Sequence, residues 1–162
     1  MNKKGSLTDL LFMAVAIFVF GVATLLGYAV YSSFNTEIQT MTDIPADAKT
    51  ASTSMVAHFP GVLDNSILFL AFGLGVIAFM LAAMVRVHPV FLFIYLIFLV
   101  IIVIICGALS NVYQEMAAND NLSGYAANLG VANALLTYLP IIVGVFGTIL
   151  AIVMYKSWRE SQ

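Results

Sequence analysis

At 62% hydrophobic and 9% charged residues, with a mean hydropathy of +1.05, this 162-residue chain is excluded from the soluble globular class, where charged residues make up about a quarter. It has room for one small bundle but not for a separate catalytic domain. The formal charge of −2 says nothing about partners until it is divided by membrane side, and a single cysteine, Cys106, excludes an intramolecular disulfide framework and a cysteine-based zinc site.

The chain opens on a short basic segment containing Lys3 and Lys4. Ser6-Leu7-Thr8-Asp9 matches a capping box ahead of an apolar run, which predicts a helix start at Ser6. Residues 10–31 then pass without a charge. A signal peptide has a shorter apolar core, about 7–15 residues, so the segment reads as an uncleaved anchor. Lys3-Lys4-Gly5-Ser6 before an apolar helix also resembles the processing site of archaeal and bacterial prepilins, where the cut follows the glycine. That likeness covers a few residues only, and pilins carry one such helix, whereas this chain has four apolar segments.

Tyr31, Phe34, Ile38 and Met41 are spaced three, four and three apart, which predicts that the first helix continues past the membrane. Asp43 and Pro45 are a start signal for a short helix reaching Ala57. Pro60-Gly61 is expected to break it, with Asp64, Asn65 or Ser66 capping a second membrane helix. An apolar tract then runs from Ile67 to Leu109, interrupted only by Arg86-Val87-His88-Pro89. The flanking stretches, 67–85 and 90–109, are nineteen and twenty residues long without a charge. Each is enough to cross a hydrocarbon core of roughly 30 Å as a helix. The four residues between them cannot cross back, so they must form the turn of a transmembrane hairpin, and Pro89 suits the start of the returning helix.

Ile105, Leu109, Val112 and Met116 carry an apolar stripe beyond the third span. Asn119-Asp120-Asn121 reads as a turn, and Tyr125, Leu129, Ala132 and Leu136 lead back into a fourth span at about 131–155. Pro140 within that span predicts a kink. Lys156, Trp158 and Arg159 form an interfacial anchor of basic and aromatic residues, joining Lys3, Lys4, Arg86 and His88. The expected fold is an all-α integral membrane protein: four transmembrane helices in an up-down bundle forming one domain over 1–162. Helices 1, 3 and 4 are expected to extend beyond the outer face, through outer segments at about 32–66 and 110–130.

Placing Arg86 in the cytoplasm puts both termini there. Lys3, Lys4, Arg86, Lys156 and Arg159 then face inward with Asp9 and Glu160. Lys49 faces outward with Glu37, Asp43, Asp47, Asp64, Glu115 and Asp120. Five of six basic residues fall inside, as the positive-inside rule requires. The outer loops are acidic, and a solvated face is the simplest reading of them.

Two small-residue stripes predict packing seams: Ala71, Gly75, Ala78 and Ala82 in the second span, and Asn133, Thr137, Pro140, Gly144, Gly147 and Ala151 in the fourth. Gly21, Thr24 and Gly27 offer the first helix a similar surface. The third span contains nothing smaller than valine from Val90 to Ile105, so it is expected to face lipid or another subunit.

Chemistry is sparse. No ionisable side chain falls within a span, which argues against an ion or proton path. Asn133, Thr137 and Tyr138 form the one polar cluster near a span, and interhelical hydrogen bonding accounts for them. His58 and His88 lie on opposite sides and cannot share a metal. Neither a nucleophile with its base, a phosphate-binding glycine loop nor a basic nucleic-acid patch is present. The expectation is therefore a non-enzymatic protein with no cofactor, no metal and no nucleic-acid partner. Its expected role is structural, scaffolding or assembly, in a cellular membrane complex or the internal membrane of a virion. Its partners would be the lipid bilayer and either its own copies or other membrane subunits. A small oligomeric channel, holin-like pore or transporter subunit is the alternative.

Overall fold

A computed structural model of the chain describes residues 5–84 and 89–159. It is all-helical, with no strand among the described residues: α1 (Gly5–Thr40), α2 (Ala46–Met84), α3 (Pro89–Ala117), α4 (Ser123–Asn128), α5 (Gly130–Thr137) and α6 (Leu139–Arg159). Four of these helices are long and apolar enough to cross a membrane, over Thr8–Thr40, Ala46–Met84, Val90–Ala117 and Leu139–Lys156. This is the signature of an integral, multi-pass membrane protein. Arg86 and His88, expected in the hairpin turn, lie outside the described residues, as do Lys3 and Lys4.

The helix α1 is 36 residues long, about 54 Å at 1.5 Å per residue. It already includes Gly5 and Ser6, so Ser6 is a helical residue and not the cap that its sequence pattern predicted. On its far half, Tyr31 and Ile38 are partly buried, but Phe34 is exposed and Met41 lies past the helix end. α1 packs chiefly on α2. Gln39 donates to the Lys49 carbonyl at 3.1 Å, Lys49 Nζ to the Gln39 carbonyl at 3.0 Å, and Ser52 Oγ to Asn35 Oδ1 at 2.7 Å. The Phe59 ring lies against Tyr31 and Tyr28, with centroids 4.7 and 6.4 Å away. Partners on α2 rise in number as those on α1 fall, which is the pairing of an antiparallel helical hairpin.

The break expected at Pro60-Gly61 does not occur. α2 runs through it as one helix of 39 residues, the longest among the described residues. A proline in a helix interior removes one hydrogen bond and crowds the carbonyl four residues back. Here the chain stays helical through Pro60, and the neighbouring Phe59 ring packs against Tyr28 and Tyr31 of α1. The short helix expected to end at Ala57 is therefore the first part of α2.

α3 is 29 residues long and packs mainly on α6. After it, the Asn119 side chain accepts the Asn121 amide at 3.0 Å and the Asn119 carbonyl accepts Leu122 N–H at 2.9 Å, closing the turn. The return is not one helix over 131–155. It is interrupted at Leu129 and again at Tyr138, whose backbone has φ −98° and ψ 14°. The second interruption stands two residues before Pro140, where the proline predicted a kink. The fourth apolar helix long enough to cross therefore begins at Leu139.

One hydrophobic core joins all six elements. It includes Leu10, Ile17 and Leu25 of α1, Ile67 and Ala82 of α2, Tyr95 and Cys106 of α3, and Ala126, Leu136 and Val143 of the return.

Candidate functional site

α1, α3 and α6 meet in a close-packed seam at Gly147. A Cβ built on Gly147 would collide with Leu99 of α3 and come within 3.2 Å of Leu10 of α1. The absent side chain lets α3 approach closely enough for Tyr95 Oη to donate to the Gly147 carbonyl at 3.0 Å, in a buried bond. Gly21 does the same on α1, its bare Cα lying beneath Leu136. Close approach at small residues is how helices associate in lipid, where there is no hydrophobic drive between them.

Of the small-residue stripe on the fourth stretch, Gly147 and Ala151 are buried, whereas Asn133, Thr137, Pro140 and Gly144 are partly exposed. The most buried line lies beside that stripe, through Ala132, Leu136, Leu139, Val143, Leu150 and Met154. On α2, Gly75, Ala78 and Ala82 are buried and Ala71 is partly so, with the Phe146 ring 3.4 Å from where a Gly75 Cβ would stand. On α1, Gly21 and Thr24 are buried, but Gly27 is exposed and faces nothing within 4 Å. Lys156 and Arg159 stand on the last turn of α6, and Trp158 lies on the same turn.

α3 buries one face, which does not coincide with the stripe Ile105, Leu109, Val112 and Met116 that carries the helix past its apolar tract. Ile105 and Val112 of that stripe are 39% and 48% exposed. The buried face is Tyr95, Leu99, Ile102, Cys106, Ser110 and Tyr113, spaced four, three, four, four and three. Hydrophobicity did not mark it, because residues 90–105 are apolar all round and Tyr95 is the one side chain among them with a polar atom. Its opposite side, including Phe93, Ile97 and Ile104, is exposed. α3 is thus packed on one face and open on the other.

Two side chains from other helices, Ser110 and Asp64, bond the interrupted return helix at its breaks. Ser110 Oγ donates to the Thr137 carbonyl at 2.7 Å, next to the break at Tyr138, and Gln114 donates to Ser110 Oγ at 3.1 Å. The Asp64 carboxylate receives Val131 N–H on Oδ2 and Ala132 N–H on Oδ1, both at 3.0 Å. Asp64 therefore does not cap its own helix; it sits in mid-α2 and caps α5, whose own N-cap, Leu129, has no side-chain oxygen to offer. No local pattern could show this, because 67 residues separate donor and acceptor.

Tyr95 and Tyr113 make a testable pair. Both are buried on the same face of α3, but Tyr113 Oη has no hydrogen-bond partner. Tyr95→Phe should destabilise the protein by about 0.5–1.5 kcal/mol through loss of the bond to Gly147. Tyr113→Phe should leave stability unchanged or raise it, because it removes an unsatisfied buried donor. Thermal unfolding in detergent reads both, and equal losses would overturn the distinction.

Among the described residues, no group of three or more His, Cys, Asp or Glu side chains is placed to hold a metal ion. His58 is exposed, with Nδ1 2.8 Å from the Ser54 carbonyl, and Cys106 is free and buried. Apart from tyrosines, the polar residues buried among the described ones are Thr24 and Ser110. Their hydroxyls donate to the Phe20 and Thr137 carbonyls respectively. Compared with protein-family models, with curated proteins and with solved structures, the chain matches none.

Proposed function

We propose that this chain is a non-enzymatic membrane scaffold or assembly protein, a four-span up-down bundle with both termini inside and its acidic loops outside. The observation that carries the reading is the character of the interior. Glycines let the helices close upon one another, the buried hydroxyls of Thr24, Ser110 and Tyr95 are engaged by backbone, and the unpartnered hydroxyl of Tyr113 is fully enclosed by packing. Catalysis or transport needs polar groups free to meet a substrate or a column of water. The ends of α1, α2 and α3 beyond the apolar core would then form a small acidic ectodomain for a partner or a second copy, in a cellular or virion membrane.

The channel reading draws on one observation, the interruption at Tyr138, because broken helices often line ion and substrate sites. The carbonyl beside that break is already taken by Ser110, which favours a packed joint. Reconstitution decides between the two readings. Liposomes containing the protein should show no ion flux above empty liposomes, and mass measurement in mild detergent should find a defined assembly larger than one chain. A monomer, or sustained flux, would overturn the scaffold reading.

Orientation has its own test. Cys106 is buried, so an introduced cysteine reports with little background. Thr50→Cys, at an exposed position on α2, should be labelled from outside intact cells, and Ser161→Cys should not. Protection of the first or labelling of the second reverses the topology.

A further inference from the structure

Between α1, α2 and the α5–α6 arm lies a groove of about 320 Å³, open on one side. Its α2 wall reaches from Ala71 to Met80, its α5–α6 wall from Leu135 to Phe146, and Met13 and Ile17 of α1 close the third side. At about 1.5 Å per residue the two long walls make it roughly 14–16 Å long, running along the helices. Every lining residue is apolar. Gly75 is among them, and the space above its Cα is clear as far as the Phe146 ring. The open side is rimmed by exposed Phe72, Phe79 and Met80, all within the apolar part of α2.

Shape and chemistry select the occupant. A helix about 10 Å across occupies roughly 1,100 Å³ over the same length, so it could lie across the open side but not within the groove. The groove is about twice the roughly 150 Å³ of an apolar cavity that holds benzene, which leaves room for about a dozen carbons. Carbon–carbon bonds of about 1.5 Å zigzag to about 1.25 Å of rise each, so roughly eleven methylenes span the long walls. Volume and length agree on one extended hydrocarbon chain, and the lining offers no polar group for a headgroup. We propose that this groove holds one acyl chain of a membrane lipid, lying along the helices between α2 and the return arm. The inference needs the four apolar helices to sit in a bilayer, and it stands whether the bundle is a scaffold or a pore.

The test is photolabelling in vesicles of phosphatidylethanolamine and phosphatidylglycerol containing a phosphatidylglycerol with a diazirine at mid-chain. Adducts are mapped by proteolysis and mass spectrometry. The exposed face of α3, through Phe93 and Ile97, reports ordinary surrounding lipid. Adducts on Phe72, Phe79 and Phe146 should exceed those on the α3 face several-fold. Ala71→Phe, which fills the groove from its edge, should bring them down to the α3 level while α3 labelling stays constant, showing that the variant is folded and reconstituted. Even labelling of both faces, or an unchanged pattern in Ala71→Phe, overturns the proposal. Labelling of the groove below the α3 level would do so too, and would mean that protein, such as a second copy, covers this face. None of these outcomes bears on ion flux, so failure here is distinguishable from failure of the scaffold reading.

Discussion

Gly147→Leu should lower the stability of the protein by about 1–3 kcal/mol, the range for forcing extra methylenes into a packed interior. At roughly 2–4 °C per kcal/mol for a chain of this size, the unfolding midpoint in detergent should fall by several degrees. The new side chain has to displace Leu99, whose Cδ1 its Cβ would meet, and Leu10 stands at 3.2 Å. Separating α3 from α6 to make room would also stretch the Tyr95 bond to the Gly147 carbonyl. Two other glycines calibrate the result. A Cβ at Gly144 meets only Val103 at 3.5 Å, an ordinary contact, so Gly144→Leu should cost less. Gly27 faces nothing within 4 Å, so Gly27→Leu should be neutral or gain up to about 1 kcal/mol from helix propensity. If all three substitutions behave alike, the seam at Gly147 does not hold the bundle together. Loss of ion flux from Gly147→Leu with unchanged stability would instead make that face the wall of a pore.

The calibration shows where periodicity stops being informative. That the chain carries four helices apolar enough to cross a membrane was legible because charge is so costly in hydrocarbon that its absence over about twenty residues leaves few alternatives. The length of α1 and the run of α3 to Ala117 were legible because each keeps a helical stripe beyond its apolar tract. Which face of α3 packs was not. From Val90 to Ile105 the helix is apolar all round, so hydrophobicity does not distinguish one side from another. The choice was made by shape on a different element, where Gly147 admits Leu99 and accepts from Tyr95. The same holds for Pro60, whose helix-breaking tendency is local, whereas the rings of Tyr28 and Tyr31 that pack against Phe59 come from α1. The candidate seam was half legible for a related reason. Small residues mark where helices can approach, and Gly147 and Ala151 lie on the stripe they defined. The burial of that stripe as a whole was decided by neighbouring leucines that look the same as lipid-facing ones.

Asp64 is the clearest example of a role set entirely by tertiary structure, and its replacement should be the second large effect. Asp64→Ala removes both acceptors from the start of α5, leaving the Val131 and Ala132 amides without their partners. A lost helix cap costs about 0.5–2 kcal/mol, and the charge of the carboxylate is favourable at a helix N-terminus by a further 0.3–1 kcal/mol or so. Asp64 is only partly buried, so water can reach the stranded amides and the expected loss is about 1–2 kcal/mol. Asp64→Asn keeps one acceptor oxygen but not the charge, and should fall between wild type and alanine. Asn65→Ala, at the exposed neighbouring position, should change little. Hydrogen exchange separates a local effect from a global one. In Asp64→Ala the amides of Val131 and Ala132 should exchange faster, while that of Cys106, buried in mid-α3, keeps most of its protection. An alanine variant as stable as wild type, with both amides still protected, would mean that α5 is held by its Leu136 and Ala132 packing alone and that the carboxylate is a bystander.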